Sequence, residues 1–270
     1  MIHVRAPATT ANLGAGFDCA GAALDLWNEV ELSEDAGEAD ADHLAVRAFA
    51  RLASPDDFGF TFTERIPRAR GLGSSAATIA LGLVAGAIVA DRATDSEELL
   101  ALGLDLEGHP DNLAAALAGG VCLTWDGRVA RIADDAPGVP IAIVPREQVE
   151  THVARAALPE TIAHTDAAFT AARATLLGAA VASGSAELFA AAADDRLHEP
   201  YRAQHAPVLA AVRDRLPDGA FAATLSGSGP TVIVWARRER ATSCAAELTE
   251  RFPETDVLHL SISPTGAGQL

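Results

Sequence analysis

The sequence contains no lysine; all of its twenty basic residues are arginine. That absence rules out the phosphate loop Gly-x-x-x-x-Gly-Lys-Ser/Thr, whose lysine reaches the phosphates. Basic residues are also outnumbered, leaving a net charge of −17. No basic stripe exists to contact a phosphate backbone, so nucleic acid is excluded as a partner. Cysteine is scarce: Cys19, Cys122 and Cys244 are scattered without paired spacing. They make neither a disulfide framework nor a metal framework and read as small buried residues of a reducing compartment. Aromatics reach only 5%. No apolar run has the length and continuity of a membrane span; the helix expected from Ala76 to Val89 is too short and carries Gly82 and Gly86. The first five residues read as the start of a strand rather than a signal peptide. The expected location is therefore the cytoplasm, with no membrane partner. No internal repeat is present.

What remains is a chain of 270 residues, 49% hydrophobic, long enough for one large domain or two lobes. Its apolar periodicity is incompatible with an acidic disordered chain. The acids are dispersed rather than blocked, which favours a folded, strongly acidic surface over a dock for basic partners. Such a lysine-free composition resembles proteins of salt-accumulating, halophilic cytoplasms, where the Debye length falls to roughly 3 Å at 1 M salt and self-repulsion costs little. Loss of structure in dilute buffer is expected.

Alternation and turn signals predict strands at 2–6, 27–32, 58–66, 121–125, 128–132, 141–144, 220–225, 232–236 and 256–262. Helical spacing predicts helices at 43–52, 76–91, 95–107, 112–118, 164–183, 185–195, 206–216 and 240–251. Asp95 with Glu98 reads as a capping box. Asp126-Gly127 reads as a hairpin turn. Residues 34–42 read as an exposed acidic turn, 6–18 as a small-residue loop, and 198–202 as a break between helices. The irregular order of strands and helices points to an α+β fold in two lobes, 1–136 and 137–270, divided at the Pro137-Gly138-Val139-Pro140 segment.

Three glycine-bearing loops carry the chemistry: 12–18, 71–75 and 226–230. In the second, Pro67-Arg68-Ala69-Arg70-Gly71-Leu72-Gly73-Ser74-Ser75-Ala76-Ala77 runs from a strand into an apolar helix. A helix start has unpaired N–H groups and a positive dipole end, and so suits phosphate. The plain alternative is an ordinary cap with a glycine turn. A nucleotide here must be neutralised by helix N-termini, arginines and a divalent metal, for which Ser75 and Glu107 are candidate oxygen ligands; Glu107 alone could equally be a solvated residue at a helix end. Ser228, in Gly-Ser-Gly-Pro, raises a hydrolase reading, but it leads into a strand, whereas a nucleophile elbow leads into a helix.

Taken together, these loops resemble the GHMP kinases. Gly71-Leu-Gly-Ser-Ser-Ala-Ala77 is similar to that superfamily's phosphate loop. Asn12-Leu-Gly-Ala-Gly-Phe-Asp18, Glu107-Gly-His-Pro-Asp-Asn112 and Leu225-Ser-Gly-Ser-Gly-Pro-Thr231 resemble motifs of its homoserine kinase family. The resemblance implies an N-lobe like the second domain of ribosomal protein S5 and a ferredoxin-like C-lobe, with ATP between them. It implies phosphate binding by residues 67–77 and magnesium on Ser75 and Glu107. It implies homoserine contacts by Asn12, Asp18, His109, Thr151, Arg155 and Arg202. The two arginines would clamp a carboxylate, which arginine binds bidentately, and Asp18 would take an ammonium group. Asn112 stands where relatives carry a base. Catalysis is then expected to run on positioning and charge stabilisation by Asn112 and Arg155, with Asp111 as a rival base. The expected partners are ATP and homoserine, with a homodimer left open. A small-alcohol kinase of the shikimate type and a non-catalytic nucleotide-binding regulator are the competing readings.

Overall fold

The computed structural model describes residues 1–34 and 40–270. The expected acidic turn at 34–42 falls largely outside the described residues. In chain order the elements are β1 (Ile2–Ala11), β2 (Ala20–Ser33), α1 (Leu44–Phe49), β3 (Gly59–Thr63), α2 (Ser74–Val89), α3 (Ser96–Glu107), α4 (Pro110–Ala118), β4 (Val121–Trp125), β5 (Arg128–Ala133) and β6 (Val139–Val144). Then follow α5 (Thr151–Ala156), α6 (His164–Ser183), α7 (Ala186–Ala192), α8 (Glu199–Arg202), α9 (Pro207–Asp214), β7 (Ala220–Leu225), β8 (Val232–Ala236), α10 (Ala241–Arg251), β9 (Asp256–His259) and β10 (Gly268–Gln269).

The strands form two antiparallel sheets, as an α+β fold requires. The first runs β10-β1-β2-β4-β5, with β3 on β2; the second runs β7-β8-β6-β9. Read from β6, the second sheet has the order of a ferredoxin-like split β-α-β unit. Its central strands, β6 and β8, are buried on both faces and alternate between two cores. Ile141, Ile143, Val232 and Val234 pack with Leu209 of α9 and Leu248 of α10. Ala142, Val144, Ile233 and Trp235 face the other way, into the core shared with α2, α4 and the first sheet. Phe189 of α7 meets Trp235 there, ring centroids 4.8 Å apart. The period of two thus welds the second sheet to the first. Among the described residues no helix is long and apolar enough to cross a membrane.

Several expected boundaries move. β1 continues past residue 6 to Ala11, so half of the expected loop is strand. Pro7 does not end it because the register with β2 shifts between Pro7 and Ala8, a bulge where a missing N–H costs nothing. β2 begins at Ala20 rather than 27. α2 begins at Ser74 and α4 at Pro110, whose ring suits a first helical turn. The break at 198–202 is itself the short helix α8. The last expected strand ends at His259, and β10 pairs with β1 through Val4 and Arg5. Asp95 caps α3 by accepting from Glu98 N at 2.9 Å, but the capping box is only half formed because the Glu98 carboxylate pairs with Arg92.

Candidate active site

The three glycine loops meet at one cavity of 610 Å³. Gly73 is the N-cap of α2, in the left-handed conformation with φ 64°, and no side chain caps the helix. The first N–H groups of α2 are therefore left for a ligand. Only glycine fits, because a Cβ on Gly73 would stand 1.8 Å from Thr9 Oγ1. Arg68, Ala69, Arg70, Gly71, Gly73, Ser74 and Ser75 line the cavity; Pro67, Leu72, Ala76 and Ala77 do not. Leu72, Ala76 and Ala77 are core residues that anchor the loop. The arginines of the loop are engaged. Arg68 pairs with Glu64, and Arg70 donates to Pro145 O at 2.9 Å and Arg146 O at 2.8 Å, tying the loop to the segment after β6.

The 12–18 loop faces it. Asn12, Leu13 and Asp18 all have positive φ, which strains non-glycine residues and often marks a functional segment. Asn12 is buried and bonded at both ends of its amide. Nδ2 donates to Gly227 O at 3.0 Å and Oδ1 accepts from Asp18 N at 3.1 Å. It locks the loop and joins it to the 226–230 loop. Asp18 Oδ1 accepts from Arg155 Nη2 at 2.6 Å, while Arg155 Nε is buried without a partner. Arg202 is 2% exposed, donates from Nη1 to Gly227 O at 3.0 Å, and among the described residues meets no carboxylate at ion-pair distance. Both guanidinium carbons sit over the Phe17 ring, at 5.6 Å for Arg155 and 5.3 Å for Arg202. Thr151 begins α5 and faces Ser228 across 3.5 Å. No histidine hydrogen-bonds Ser228 among the described residues, so the hydrolase reading has no geometric support.

The 107–112 segment closes the site. Ser75 Oγ donates to Glu107 Oε2 at 2.7 Å. Burial, with a further push from Asp111, raises the Glu107 carboxyl to about 7, although Ser75 pulls the other way. A carboxylate short of positive charge beside a serine hydroxyl fits a cation. No group of three or more histidine, cysteine or acidic side chains assembles among the described residues. Ser75 and Glu107 are the residues that could hold magnesium, which takes one or two carboxylates and fills its sphere with waters and phosphates. Burial likewise raises Asp111 to about 6. His109 stands at the N-cap position of α4, where its side chain makes no capping hydrogen bond, and it is held below its usual range by burial and by Arg155. Asn112 Oδ1 accepts from Thr9 Oγ1 at 2.7 Å, and its Nδ2 lies 3.2 Å from Asp111 Oδ1. Asn112 carries no proton acceptor of useful basicity at neutral pH.

Residues 43–120 match the family described as GHMP kinases N terminal domain, and residues 176–254 match GHMP kinases C terminal. The chain belongs to the GHMP kinases. It is 39% identical to a homoserine kinase of Streptomyces avermitilis, over 100% of this chain and 95% of that one. It is 40% identical to a homoserine kinase of Streptomyces coelicolor, over 91% and 87%. Among solved structures, a homoserine kinase from Cytophaga hutchinsonii superposes with TM-score 0.84 at 27% identity, covering 100% of this chain and 97% of that one. Mevalonate kinase from Methanococcus jannaschii superposes at 0.70 with 13% identity over 97% and 98%, a likeness of fold alone.

In this GHMP kinase the structure also gives contacts to residues that the sequence assigns no individual role. Thr9 holds the Asn112 amide, and Ser226 donates to Gly71 O at 2.6 Å, fastening the phosphate loop to the third glycine loop. His43 and Glu64 line the end of the cavity beyond Arg68, with His43 stacked on Phe62 at 4.0 Å. Alternation would have found Thr9 had the first strand been carried through Pro7. His43 had no signal beyond its place before a helix.

Proposed function

We propose that this GHMP kinase transfers the γ-phosphoryl group of ATP to the side-chain hydroxyl of L-homoserine, giving O-phospho-L-homoserine for threonine synthesis. One observation carries the reading: a carboxylate and two guanidiniums, Asp18, Arg155 and Arg202, share a cavity with the phosphate loop. Asp18 and Arg155 satisfy each other at 2.6 Å. An amino acid offers the same pair of charges, its ammonium for Asp18 and its carboxylate for Arg155 and Arg202. A bare acid such as shikimate offers only half of that match. The names of the relatives agree with this choice.

In this scheme the N–H groups of α2 and loop 71–75 hold the phosphates. Ser75 and Glu107 would hold magnesium, which when bound would supply positive charge to the phosphates. Asn112 and Arg155 position the acceptor hydroxyl and balance developing charge. The hydroxyl proton passes to the γ-phosphate itself, since a loose transition state asks little of a base. The division into two lobes near residue 136 is supported by the Pro137–Pro140 segment, which leads from β5 of the first sheet into β6 of the second, although β10 returns to the first sheet. Three free cysteines suit a reducing cytoplasm.

The test is ADP release at high potassium chloride, coupled in parallel to homoserine, shikimate and mevalonate. Homoserine is expected to turn over and the other two to give background rates. No turnover with homoserine sinks the proposal, and preference for shikimate replaces it.

A further inference from the structure

His198 is fully buried, yet lies outside every motif that carries the family resemblance. It stands at the N-cap of α8, whose last residue is Arg202. Its Nε2 is 3.0 Å from Gly14 O, and its Nδ1 is 3.3 Å from Arg202 Nη1. A carbonyl can only accept and a guanidinium can only donate. The two partners therefore fix one tautomer: Nε2 carries the proton and Nδ1 keeps its lone pair for Arg202. The ring stacks on Phe17 at 5.0 Å and 18°, the same ring over which Arg202 sits. Asp195 Oδ2, at 3.6 Å from Nε2, is occupied by the backbone N–H groups of Leu197, His198 and Glu199.

We propose that His198 is a positioning residue which, as the neutral Nε2–H tautomer, holds the Arg202 guanidinium aimed into the cavity and so sets affinity for the amino-acid substrate. The inference rests on the reading of Arg202 as a carboxylate ligand. Arg202 needs such a holder. It is a buried cation whose partners are carbonyls and one imidazole, so nothing of opposite charge fixes its direction before substrate arrives. A neutral acceptor orients it without cancelling its charge, which a carboxylate in the same place would do. Protonation would set an N–H of the ring against the guanidinium; burial opposes it, holding the ring down to about 4. The same imidazole ties Arg202 to the 12–18 loop through Gly14, so carboxylate and ammonium sites are held in register.

His198→Gln keeps an amide donor within reach of Gly14 but removes the acceptor beside Arg202. His198→Asn places an oxygen near the former Nδ1. Homoserine KM is expected to rise at least about ten-fold in His198→Gln, with kcat within about three-fold and ATP KM unchanged, while His198→Asn stays within about three-fold of the parent in all three. Equal KM values for the two variants overturn the inference. Arg202→Gln separates the premises. If it leaves homoserine KM unchanged, the carboxylate reading falls and the inference with it. If it raises KM while His198→Gln does not, only the role of His198 falls. Should either histidine variant fail to fold, nitrogen-15 shifts of the parent decide: a protonated Nε2 and bare Nδ1 at neutral pH are expected, and the opposite tautomer or an imidazolium overturns the inference.

Discussion

At the scale of single residues, Asp111 poses the sharpest question. It is 3% exposed, lines the cavity, and its carboxyl is raised to about 6. A base tuned toward neutrality would look like this. So would a structural carboxylate, since its Oδ1 accepts from Asn112 N at 2.7 Å and so supports the first turn of α4. Asp111→Asn separates the two, because an amide oxygen keeps that hydrogen bond but takes no proton. We expect the variant to keep turnover within about three-fold; a loss approaching the roughly 10²–10⁴-fold contribution of a general base would make Asp111 the base. Stability gives a second reading. A carboxyl whose folded pKa lies above its unfolded one costs stability once ionised. The cost is absent below about pH 4, grows as pH rises to about 6, and is complete above that. Asp111→Asn should therefore raise unfolding free energy at pH 8 by on the order of 1–3 kcal/mol and by almost nothing at pH 4. Denaturant titrations at the two pH values check the sign. The neighbours of Asp111 show what sequence can and cannot reveal at this scale. Asn12, Asp18, His109 and Asn112 sit in short motifs with unusual residue types and are visible as chemistry. Thr9 acts on Asn112 from 103 residues away, which no local signal reports; His198 stands four residues before Arg202, in a segment that the sequence marks only as a break between helices.

At the scale of elements, the joint between β1, α2 and the phosphate loop is the most constrained part of the fold. Gly73 must be left-handed, and Thr9 Oγ1 occupies the space where its Cβ would go. Gly73→Ala meets both conditions at once. It should destabilise the protein by about 2–4 kcal/mol and lower kcat at least about a hundred-fold, since the loop cannot reseat without moving Thr9 and Asn112. Gly184→Ala is the control: also left-handed, with φ 67°, but with nothing within 4 Å of its would-be Cβ. It should cost about 1 kcal/mol and leave kcat unchanged. Melting curves and turnover on both variants test the distinction; equal losses would refute it. Elements were legible where a period or a cap is local. α2 announces itself by apolar content, α3 by Asp95, and the β4–β5 hairpin by Asp126-Gly127. Tertiary pairing decided the rest. The far half of β1 is a strand because β2 pairs with it as far as Gly21, and β10 exists only because Val4 and Arg5 offer an edge. α8 is four residues long and is held by Asp195 N–H acceptance, which no periodicity reports.

At the scale of the whole molecule, charge is the property left to explain. Thirty-seven acids face twenty arginines, so the chain carries −17 even with every arginine paired. Many arginines are paired, for example Arg51 with Asp105 at 2.6 Å, Arg238 with Asp135 at 2.6 Å and Arg128 with Glu97 at 2.8 Å. These contacts lie at the exposed surface, where each is worth at most about 1 kcal/mol and weakens with salt. Salt thus removes a small attraction and a larger net repulsion, and repulsion should win. Raising potassium chloride from about 0.01 to 1 M shrinks the Debye length from roughly 30 to roughly 3 Å, so screening is essentially complete within that range. The melting temperature is expected to rise by on the order of 5 °C or more, steeply below about 0.3 M and slowly beyond it. A rise that stays linear to about 2 M would instead report exclusion of salt from the protein surface. A flat curve would mean that acids and arginines are already balanced by local pairing, and the acidic composition would then say nothing about the salt in which the protein works.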